Sequence, residues 1–241
     1  MAKISSKNAI ILINGYNFST YATMFDVKMG AGKVEVSGFG DGSKNYIPGL
    51  QAASIDAAML WESSANSVHL AMKSMPTGIA TILPEGWVLG APTFSLQNMQ
   101  GNYAPKGKPA GALEIGTILF ESNGVNSGVE GGVALQHGVI TNTLTGTGFI
   151  DPTGGDVTAI CAGALHVWTP TSTDTYVVKI QHSTTLGSGY TDLITFVSTG
   201  TTRTAERVAV ASGTIHQYRR IVATRTGSGD NFGFSVHFWH A

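Results

Sequence analysis

Residues 231–239 read Asn-Phe-Gly-Phe-Ser-Val-His-Phe-Trp, and they carry the clearest structural signal in the chain. Every second position from Phe232 to Phe238 is apolar, and the positions between them are Gly, Ser and His. Alternation with a period of two places one set of side chains on each face of a β-strand. The stretch therefore predicts a strand whose apolar face packs on a core.

Five other short stretches of strand-forming residues precede it, and turn residues separate them. They lie at 164–169, 175–183, 192–197, 206–211 and 217–225. Six short strands at regular spacing are typical of an antiparallel sandwich. The sequence thus predicts a small β-sandwich at the end of the chain.

The first half of the chain also contains strand signals, at less regular spacing. An apolar run at 9–13 is followed by the turn signal Asn14-Gly15, and short runs at 25–29 and 33–37 flank Gly30-Ala31-Gly32. Two short runs around a glycine turn predict a β-hairpin. A polar loop at 38–48 follows the second run.

The segment 51–61 is rich in Ala, so helix and strand compete for it. Ile55, Ala57, Met59 and Trp61 fall on one face at period two, and the alternation favours a strand. Further strands are predicted at 79–83, 94–103 and 112–121.

One short helix is predicted between these strands. Ser63 or Ser64 provides the cap, Val68, Met72 and Met75 recur at helical spacing, and Pro76-Thr77-Gly78 ends it. The fold class predicted for the whole chain is mainly β, with a sandwich or barrel domain that carries this helix and a small β-sandwich domain after it.

A Thr-, Gly- and Asp-rich passage at 138–158 separates the two patterns, with Asp151-Pro152 and Gly154-Gly155 inside it. It predicts a first domain at 1–140, a junction at 141–160 and a C-terminal β-sandwich domain at 161–241. All five Arg follow residue 200, while eight of nine Lys precede residue 110, as expected for two regions of separate origin. Linkers carry few cross-contacts, so each domain is expected to fold alone.

Charged residues are sparse, at 12% of the chain against about a quarter in an average soluble protein. A surface with few charges suits a subunit that its neighbours cover. The net charge is −1, and the single pair of adjacent basic residues, Arg219-Arg220, points to opposite faces of a strand. Affinity for nucleic acid needs clustered Lys and Arg, so no DNA or RNA binding is predicted.

A lone cysteine, Cys161, cannot form an internal disulfide, which agrees with synthesis in a reducing cytoplasm. The N-terminal apolar run spans only residues 9–13, too short for a signal peptide, and no run approaches the ~20 residues of a membrane span. We therefore expect no membrane association.

Motifs of catalysis and phosphate binding are absent or incomplete. No Gly-x-Ser-x-Gly motif occurs. The segment 101–108 resembles a phosphate-binding loop but has one residue too many, and Pro109 stands where Ser or Thr would bind magnesium. The glycines at 38, 40 and 42 are interpreted as turn residues.

Histidines and carboxylates are the residues that could form a metal or acid–base site. His237-x-x-His240 has its two rings on opposite faces of a strand, and His166 and His182 could neighbour each other across strands. We interpret these histidines as polar residues on a face of the strand that meets solvent or another subunit. The acidic residues of the first half are scattered: Asp26, Glu35, Asp41, Asp56 and Glu62. The sequence therefore predicts no catalytic, cofactor-binding or metal-binding residues, no cofactor, and no enzyme.

Aromatic residues in the second half leave a carbohydrate-binding alternative open. Such side chains stack on sugars, although they more often pack in cores. They are Trp168, Tyr176, Tyr190, Tyr218 and Trp239.

Residues 4–137 resemble the tail-tube proteins, also called major tail proteins, of long-tailed bacteriophages. The resemblance rests on ordered segments: 9–16 (Ala-Ile-Ile-Leu-Ile-Asn-Gly-Tyr), the hairpin around Gly30-Ala31-Gly32, 36–44 (Val-Ser-Gly-Phe-Gly-Asp-Gly-Ser-Lys), 47–50 (Ile-Pro-Gly-Leu), the strand to Trp61, the helix to Met75, and 82–86 (Ile-Leu-Pro-Glu-Gly). The second half is similar to β-sandwich modules appended to such subunits, through 177–183 (Val-Val-Lys-Ile-Gln-His-Ser) and Tyr218-Arg219-Arg220.

This resemblance implies a structural virion protein, made in the bacterial host's cytoplasm, that forms stacked hexameric rings as the conduit for DNA ejection. Its partners would be other copies of itself and other phage tail proteins, and DNA would pass without sequence-specific binding. The hairpin at 25–37 and the loop at 38–48 would be the arms that reach a neighbour. The same fold serves tail-terminator and baseplate-hub proteins. A virion decoration or receptor-binding protein and a β-sandwich glycosidase fragment remain alternatives.

Overall fold

A computed structural model describes residues 8–37, 43–64, 67–73, 77–100, 102–107, 114–122, 129–151 and 155–240. Over these ranges the chain forms one helix, α1 (Val68–Met72), and nineteen strands. The strands are β1 (Ile10–Ile13), β2 (Tyr16–Asn17), β3 (Ala22–Glu35), β4 (Tyr46–Leu60), β5 (Thr77–Leu83), β6 (Pro92–Gln100), β7 (Pro105–Lys106), β8 (Glu114–Ser122), β9 (Glu130–Ile140), β10 (Leu144–Thr145), β11 (Phe149–Ile150), β12 (Val157–Thr158), β13 (Cys161–Thr169), β14 (Thr175–Ser183), β15 (Thr191–Thr195), β16 (Thr204–Val210), β17 (Thr214–Ile215), β18 (Tyr218–Thr226) and β19 (Phe232–His240). The predicted mainly β fold with one short helix is confirmed, and α1 is far too short to cross a membrane.

The chain divides into two compact units, and neither is continuous in sequence. Unit 1 contains Met1–Thr20, Gly78–Ser95 and Glu130–Ala241, and unit 2 contains Tyr21–Thr77 and Leu96–Val129. This division differs from the domains 1–140 and 161–241 expected from the sequence. The physical reason is strand pairing, because β9 precedes the expected junction and pairs along its length with β19.

The larger sheet of unit 1 is antiparallel and runs in the order β16-β13-β19-β9-β6-β5-β1-β2. Only residues 92–95 of β6 belong to this unit. β19 lies inside the sheet, with Val236 opposite Leu165 on β13 and opposite Gln136 on β9. The strand with the clearest sequence signal is thus hydrogen-bonded on both sides.

The turn between β1 and β2 brings the two ends of this sheet together. Asn14 and Gly15 both have positive φ, as the predicted Asn-Gly hairpin turn requires. The Gly15 N–H donates to His166 Nδ1 on β13 at 3.4 Å, and Arg203 donates to the Gly15 carbonyl oxygen at 3.3 Å. The sheet of unit 1 therefore curls into a nearly closed barrel.

Replacing Gly15 by Ala is expected to lower the free energy of unfolding of unit 1 by about 2 kcal/mol or more. A non-glycine residue in the left-handed region costs about 1–2 kcal/mol, and a Cβ at Gly15 would lie 2.5 Å from the Thr204 carbonyl oxygen. Gly213→Ala is the matched control, because a Cβ there meets no atom within 4 Å. Denaturant unfolding of both variants measures the difference, and equal stability would contradict the closure described here.

A second antiparallel sheet of unit 1 packs on the barrel. Its order is β10-β18-β14-β15, and β11 also pairs with β18. The six strands predicted for the sandwich all exist, with β13, β16 and β19 in the barrel sheet and β14, β15 and β18 in the second sheet. The expected junction is also paired, since β10 and β11 both bind β18.

The main core of unit 1 lies between these two sheets. The core residues from the barrel sheet include Leu165, Val167, Phe234, Val236 and Phe238, and those from the second sheet include Tyr176, Val178, Ile180, Ile221 and Ala223. Burial of this many apolar side chains is the dominant stabilising term for the unit.

Unit 2 is built on two long antiparallel strands, β3 and β4, and β4 also pairs with β8. The predicted strand at 51–61 is confirmed, with Ile55, Ala57 and Met59 buried on one face. The predicted hairpin around Gly30-Ala31-Gly32 is wrong. β3 continues through these residues with a register shift between Ala31 and Lys33, because an extra residue can be absorbed as a bulge without turning the chain.

The connection between β3 and β4 comprises residues 36–45 and overlaps the predicted loop at 38–48, of which 38–42 are outside the described residues. Residues 46–48 belong to β4 rather than to the loop.

The helix α1 begins at Val68, later than predicted. Neither Ser63 nor Ser64 caps it, because their N–H groups donate to the Glu62 carboxylate, each at 2.9 Å. Ser67 is the N-cap residue, and its hydroxyl donates to the Glu62 carbonyl oxygen at 2.5 Å. The predicted end at Met75 and Pro76 lies outside the described residues.

Candidate functional site

The outer edge of β3 in unit 2 is the most extended unpaired strand edge in the described part of the chain. β3 pairs with β4 on one side and with no other described strand. Its fourteen residues span about 45 Å, since each residue advances about 3.3 Å. An edge of this length presents a row of backbone donors and acceptors to any strand that approaches it.

The two faces of β3 differ in character. Phe25 and Val27 are half-buried and lie opposite Ala57 and Ile55 of β4, so that face packs on the core of unit 2. Met24 on the opposite face is 49% exposed, and Met29, which follows Phe25 and Val27 on their face, is 60% exposed. Methionine adapts its shape to irregular apolar surfaces, which makes these positions suited to a contact with another chain.

Charged groups on this strand pair form a local cluster. Lys28 donates to the buried Asp56 carboxylate, and its ammonium also lies 3.4 Å from Asp26. Hydrogen bonding to Asp56 is the main cause that raises the pKa of Lys28. Asp26 and Asp56 are cross-strand partners, and Lys28 forms a salt bridge with each of them.

The other predicted acidic residues do not join this cluster. Glu35 binds Lys44 at 3.0 Å and Glu62 accepts the two serine N–H groups described above, while Asp41 is outside the described residues. Among the described residues no group of three or more His, Cys, Asp or Glu has metal-binding geometry.

A buried hydrogen-bond chain lies in the barrel of unit 1. Because His166 Nδ1 accepts the Gly15 N–H, the neutral ring carries its proton on Nε2 and donates to Thr81 Oγ1 at 2.8 Å. Thr81 and Ser95 share a further hydrogen bond of 2.9 Å. Burial is the main cause that lowers the pKa of His166, to about 3, and the nearby His137 adds to it.

His237 lies beside this chain, with its ring centroid 6.0 Å from that of His166. Its Nε2 donates to Ser235 Oγ at 3.1 Å, and Ser235 in turn donates to the Gln136 carbonyl oxygen. Burial lowers the pKa of His237 well below its usual value, and His166 and His137 lower it further. These histidines were predicted on a solvent or interface face, and the closing of the barrel buries them instead.

His166 and His182, which the sequence allowed as cross-strand neighbours, lie in different sheets. His182 stacks on His216 instead, with ring centroids 4.6 Å apart. His216 Nδ1 lies 2.8 Å from Asp156 Oδ2, and hydrogen bonding to His216 is the main cause that lowers the pKa of Asp156. No nucleophilic side chain contacts this Asp–His pair in the described part of the chain.

A buried ion pair lies on the inner face of β18. Arg219 is 1% exposed and donates through NH1 to the Asp151 carboxylate, which also accepts His240 Nε2–H at 2.8 Å. Arg220 points the other way, donates to Gln181 and stacks over the Tyr190 ring. The prediction that these arginines face opposite sides of a strand is confirmed.

Two carboxylates tie neighbouring loops of unit 1 and were not singled out from the sequence. Asp174 accepts the N–H groups of Ser228, Gly229 and Asp230 at 2.7–2.9 Å. Burial by itself raises the pKa of Asp174, but these N–H donors and Arg225 hold it below its usual value.

Asp230 makes the reciprocal contact. Its carboxylate accepts the hydroxyl and N–H groups of Ser172 and Thr173, and these bonds, the Ser172 hydroxyl first, lower its pKa. The two aspartates fasten the loops at one end of the sandwich. The sequence signal that could have predicted these two aspartates is the presence of Asp, Ser and Thr in Gly-rich turns.

Four of the aromatic side chains on which the carbohydrate-binding alternative depends do not form a common platform. Tyr176 is fully buried and stacks on Phe232 in the core. Trp168 stacks on His137, Tyr190 lies beneath Arg220, and Trp239 lies beneath Arg207, so these four rings have different partners.

No protein-family model and no curated protein sequence matches this chain. Among solved structures, a chain of the virion of a native gene transfer agent particle aligns with 52% of this chain and 96% of its own length, at 12% identity and TM-score 0.39. The Dit protein (gp 19.1) of SPP1, described as a paradigm of hub adsorption apparatus in phages that infect Gram-positive bacteria, aligns with 97% of this chain and 99% of its own length, at 10% identity and TM-score 0.30. Because both TM-scores are below 0.5, neither likeness assigns a function to this chain.

Proposed function

We propose that this chain is a structural virion protein of a phage tail, whose copies join through the outer edge of β3 into hexameric rings that stack as a tail tube. The observation that carries the proposal is the long free edge of β3 with exposed methionines beside it. The choice of stacked hexameric rings as the assembly comes from the sequence resemblance to tail-tube proteins.

An exposed edge of fourteen residues is a liability for a protein that remains a monomer. Natural edges are blunted by short strands, prolines or inward-pointing charges. β3 is long and has no proline, and its charged residues are Asp26, Lys28, Lys33 and Glu35. Closure of a ring of identical subunits removes every free edge, since each copy then pairs on both sides. The low charge of the chain supports extensive burial between copies.

DNA passage through the tube requires little attraction between the wall and the phosphates. The net charge of −1 and the internal pairing of Lys28, Lys44 and Arg219 support passage without binding. The proposed location is the virion tail after synthesis in the bacterial host's cytoplasm, with other tail proteins as partners. The proposal includes no enzymatic activity and no cofactor.

Replacing both Met24 and Met29 by Lys is expected to abolish assembly. Added lysines on an edge strand disfavour pairing with the strand of a neighbouring copy, whereas unit 2 by itself tolerates them because both side chains are exposed. Light scattering over a concentration series and electron microscopy measure the outcome: rings or tubes for the wild type, monomers for the double variant.

The matched control replaces the same two residues by Leu, which keeps an apolar edge and should assemble. A wild-type chain that remains monomeric at high concentration, across several salt conditions, would refute the proposal. Discrete oligomers without tubes would instead favour a decoration or receptor-binding protein.

A further inference from the structure

Two histidines attach a small two-stranded ribbon to the second sheet of unit 1. β12 and β17 form the ribbon, and neither strand pairs with any other described strand. His216 directly follows β17, and its backbone N–H donates to Nδ1 of His182 on β14 at 3.1 Å. The two rings stack with their centroids 4.6 Å apart. The ring of His182 is therefore the acceptor that holds this end of the ribbon against the sheet.

The bond from His216 requires a neutral His182 ring. In neutral imidazole one nitrogen donates and the other accepts, so Nδ1 of His182 accepts and Nε2 carries the proton. Both nitrogens of a protonated ring are donors. A proton on Nδ1 would face the N–H of His216, so uptake of a single proton removes the acceptor.

On the second sheet, the charged neighbour of His182 is a cation. Arg219 is the cross-strand partner of His182 on β18. Asp151 binds the Arg219 guanidinium and also accepts the Nε2–H of His240, so this carboxylate is occupied by other groups. A proton on His182 would therefore add a second positive charge beside Arg219.

On the ribbon side, His182 faces His216 and Asp156. His216 Nδ1 lies 2.8 Å from Asp156 Oδ2, and the backbone N–H of Gln217 donates to Asp156 Oδ1 at 3.1 Å. Burial is the main cause that lowers the pKa of His182, His216 and Arg219 lower it further, and Asp156 acts in the opposite direction. The closed contact thus favours the neutral ring, whereas a released ring has the ordinary pKa of about 6.5. Acid therefore favours release.

We propose that the contact between His182 and His216 is a pH-sensitive device: protonation of His182 at mildly acidic pH releases residues 216 and 217 from the second sheet, while both sheets of unit 1 stay folded. Ile215 is 1% exposed and belongs to the core, so the ribbon itself remains anchored through β17. The side chains of His216 and Asp156 are 28% and 40% exposed, so protons reach the site without unfolding. The inference is independent of assembly through β3.

The test is hydrogen exchange of the full-length protein at pH 7.5, 6.5, 5.5 and 5.0, read by mass spectrometry and divided by the intrinsic exchange rate at each pH. The reporter segment is 214–218. The reference segment is 194–197, where the Phe196 N–H donates to the Val178 carbonyl oxygen at 3.0 Å, an acceptor that does not titrate.

At pH 5.0 a released ring of pKa 6.5 is about thirty times more often protonated than neutral. Protection of 214–218 relative to the reference segment is therefore expected to fall severalfold, and by at most about thirtyfold. An equal change in the two segments, or no change in 214–218, would overturn the proposal.

His182→Gln separates this device from a general loss of stability, because the Gln side-chain oxygen can accept the His216 N–H and takes up no proton. Relative protection of 214–218 should then stay constant over the same pH range. His216→Gln is the matched control: it keeps the backbone N–H and the His182 acceptor, so the fall in protection should persist. A fall in His182→Gln as large as in the wild type would contradict the role of His182, as would constant protection in His216→Gln. If His182→Gln does not fold, the wild-type comparison of the two segments decides the question.

Discussion

Lowering the pH from 7 to 4 is expected to reduce the free energy of unfolding of unit 1 by about 3 kcal/mol through His166 alone, given 1.36 kcal/mol per pKa unit. The folded state holds the pKa of His166 at about 3, against 6.5 for an unperturbed ring. The folded state therefore favours the neutral ring, and the unfolded state takes up a proton below about pH 6.5. Stability is fully present above that pH and is lost as the pH falls towards about 3.

The local contacts explain why the folded ring resists protonation. A proton on Nδ1 would face the N–H of Gly15, which points at that atom. His237 adds to the loss in the same direction, since its pKa is also lowered by burial. The lowered carboxyl pKa values of Asp174 and Asp230 act in a different window, because carboxyl groups of ordinary pKa take up protons mainly below about pH 4.

Urea unfolding at pH 7, 6, 5 and 4 measures this dependence, with a probe in unit 1. In His166→Gln, the free energy of unfolding is expected to fall less between pH 7 and 4, by the amount attributed above to His166. His69→Gln in unit 2 is the matched control and should leave the dependence unchanged. A stability that does not vary between pH 7 and 4, or an identical slope in His166→Gln, would contradict the buried neutral ring.

Asp151→Ala is expected to lower the free energy of unfolding by about 3–5 kcal/mol, the usual cost of leaving one member of a buried ion pair alone. Arg219 is 1% exposed and its side chain has no other described carboxylate partner, so the variant would leave a buried uncompensated charge. The double variant Asp151→Ala/Arg219→Met should recover most of this loss, because an apolar side chain of similar length needs no partner there.

Asp192→Ala is the matched control for the ion pair. Asp192 binds Lys179 at 2.6 Å on the second sheet, but its side chain is 40% exposed, and an exposed pair contributes about 0–1 kcal/mol. Chemical denaturation of the four proteins completes the comparison. If Asp151→Ala costs no more than Asp192→Ala, the pair is not desolvated as described.

Period-two alternation predicted β14 and β19 to within one residue, because each strand has one face in the core between two sheets. β9 had no such signal, since Gly131, Gly132 and Gly138 interrupt its alternation. Without β9, residues 138–158 read as a linker, and the pairing that joins the two halves of the sequence was missed. A strand that glycines interrupt lacks the alternation from which a strand is predicted.

The polar sites were harder to predict than the strands. Alternation separates His166 and His237 from the apolar core positions, but it does not say whether the second face meets solvent or the interior of a barrel. That outcome depends on closure through Gly15 and Arg203, which are far from these histidines in sequence. The Arg219–Asp151 pair likewise joins residues 68 positions apart.

Because the segments of the two units alternate in the sequence, the two units are completed at different times during translation. All residues of unit 2 have been synthesised once Val129 is made, whereas the barrel sheet lacks a central strand until β19 is made. At about 5–20 residues per second, that delay is roughly 5–20 s. During this delay, β9 and β13 each have one edge without a partner, and both edges pair with the nine residues of β19. Until β19 is made, the nascent chain therefore carries two strands with one open edge each, and this interval is the part of synthesis most exposed to misfolding.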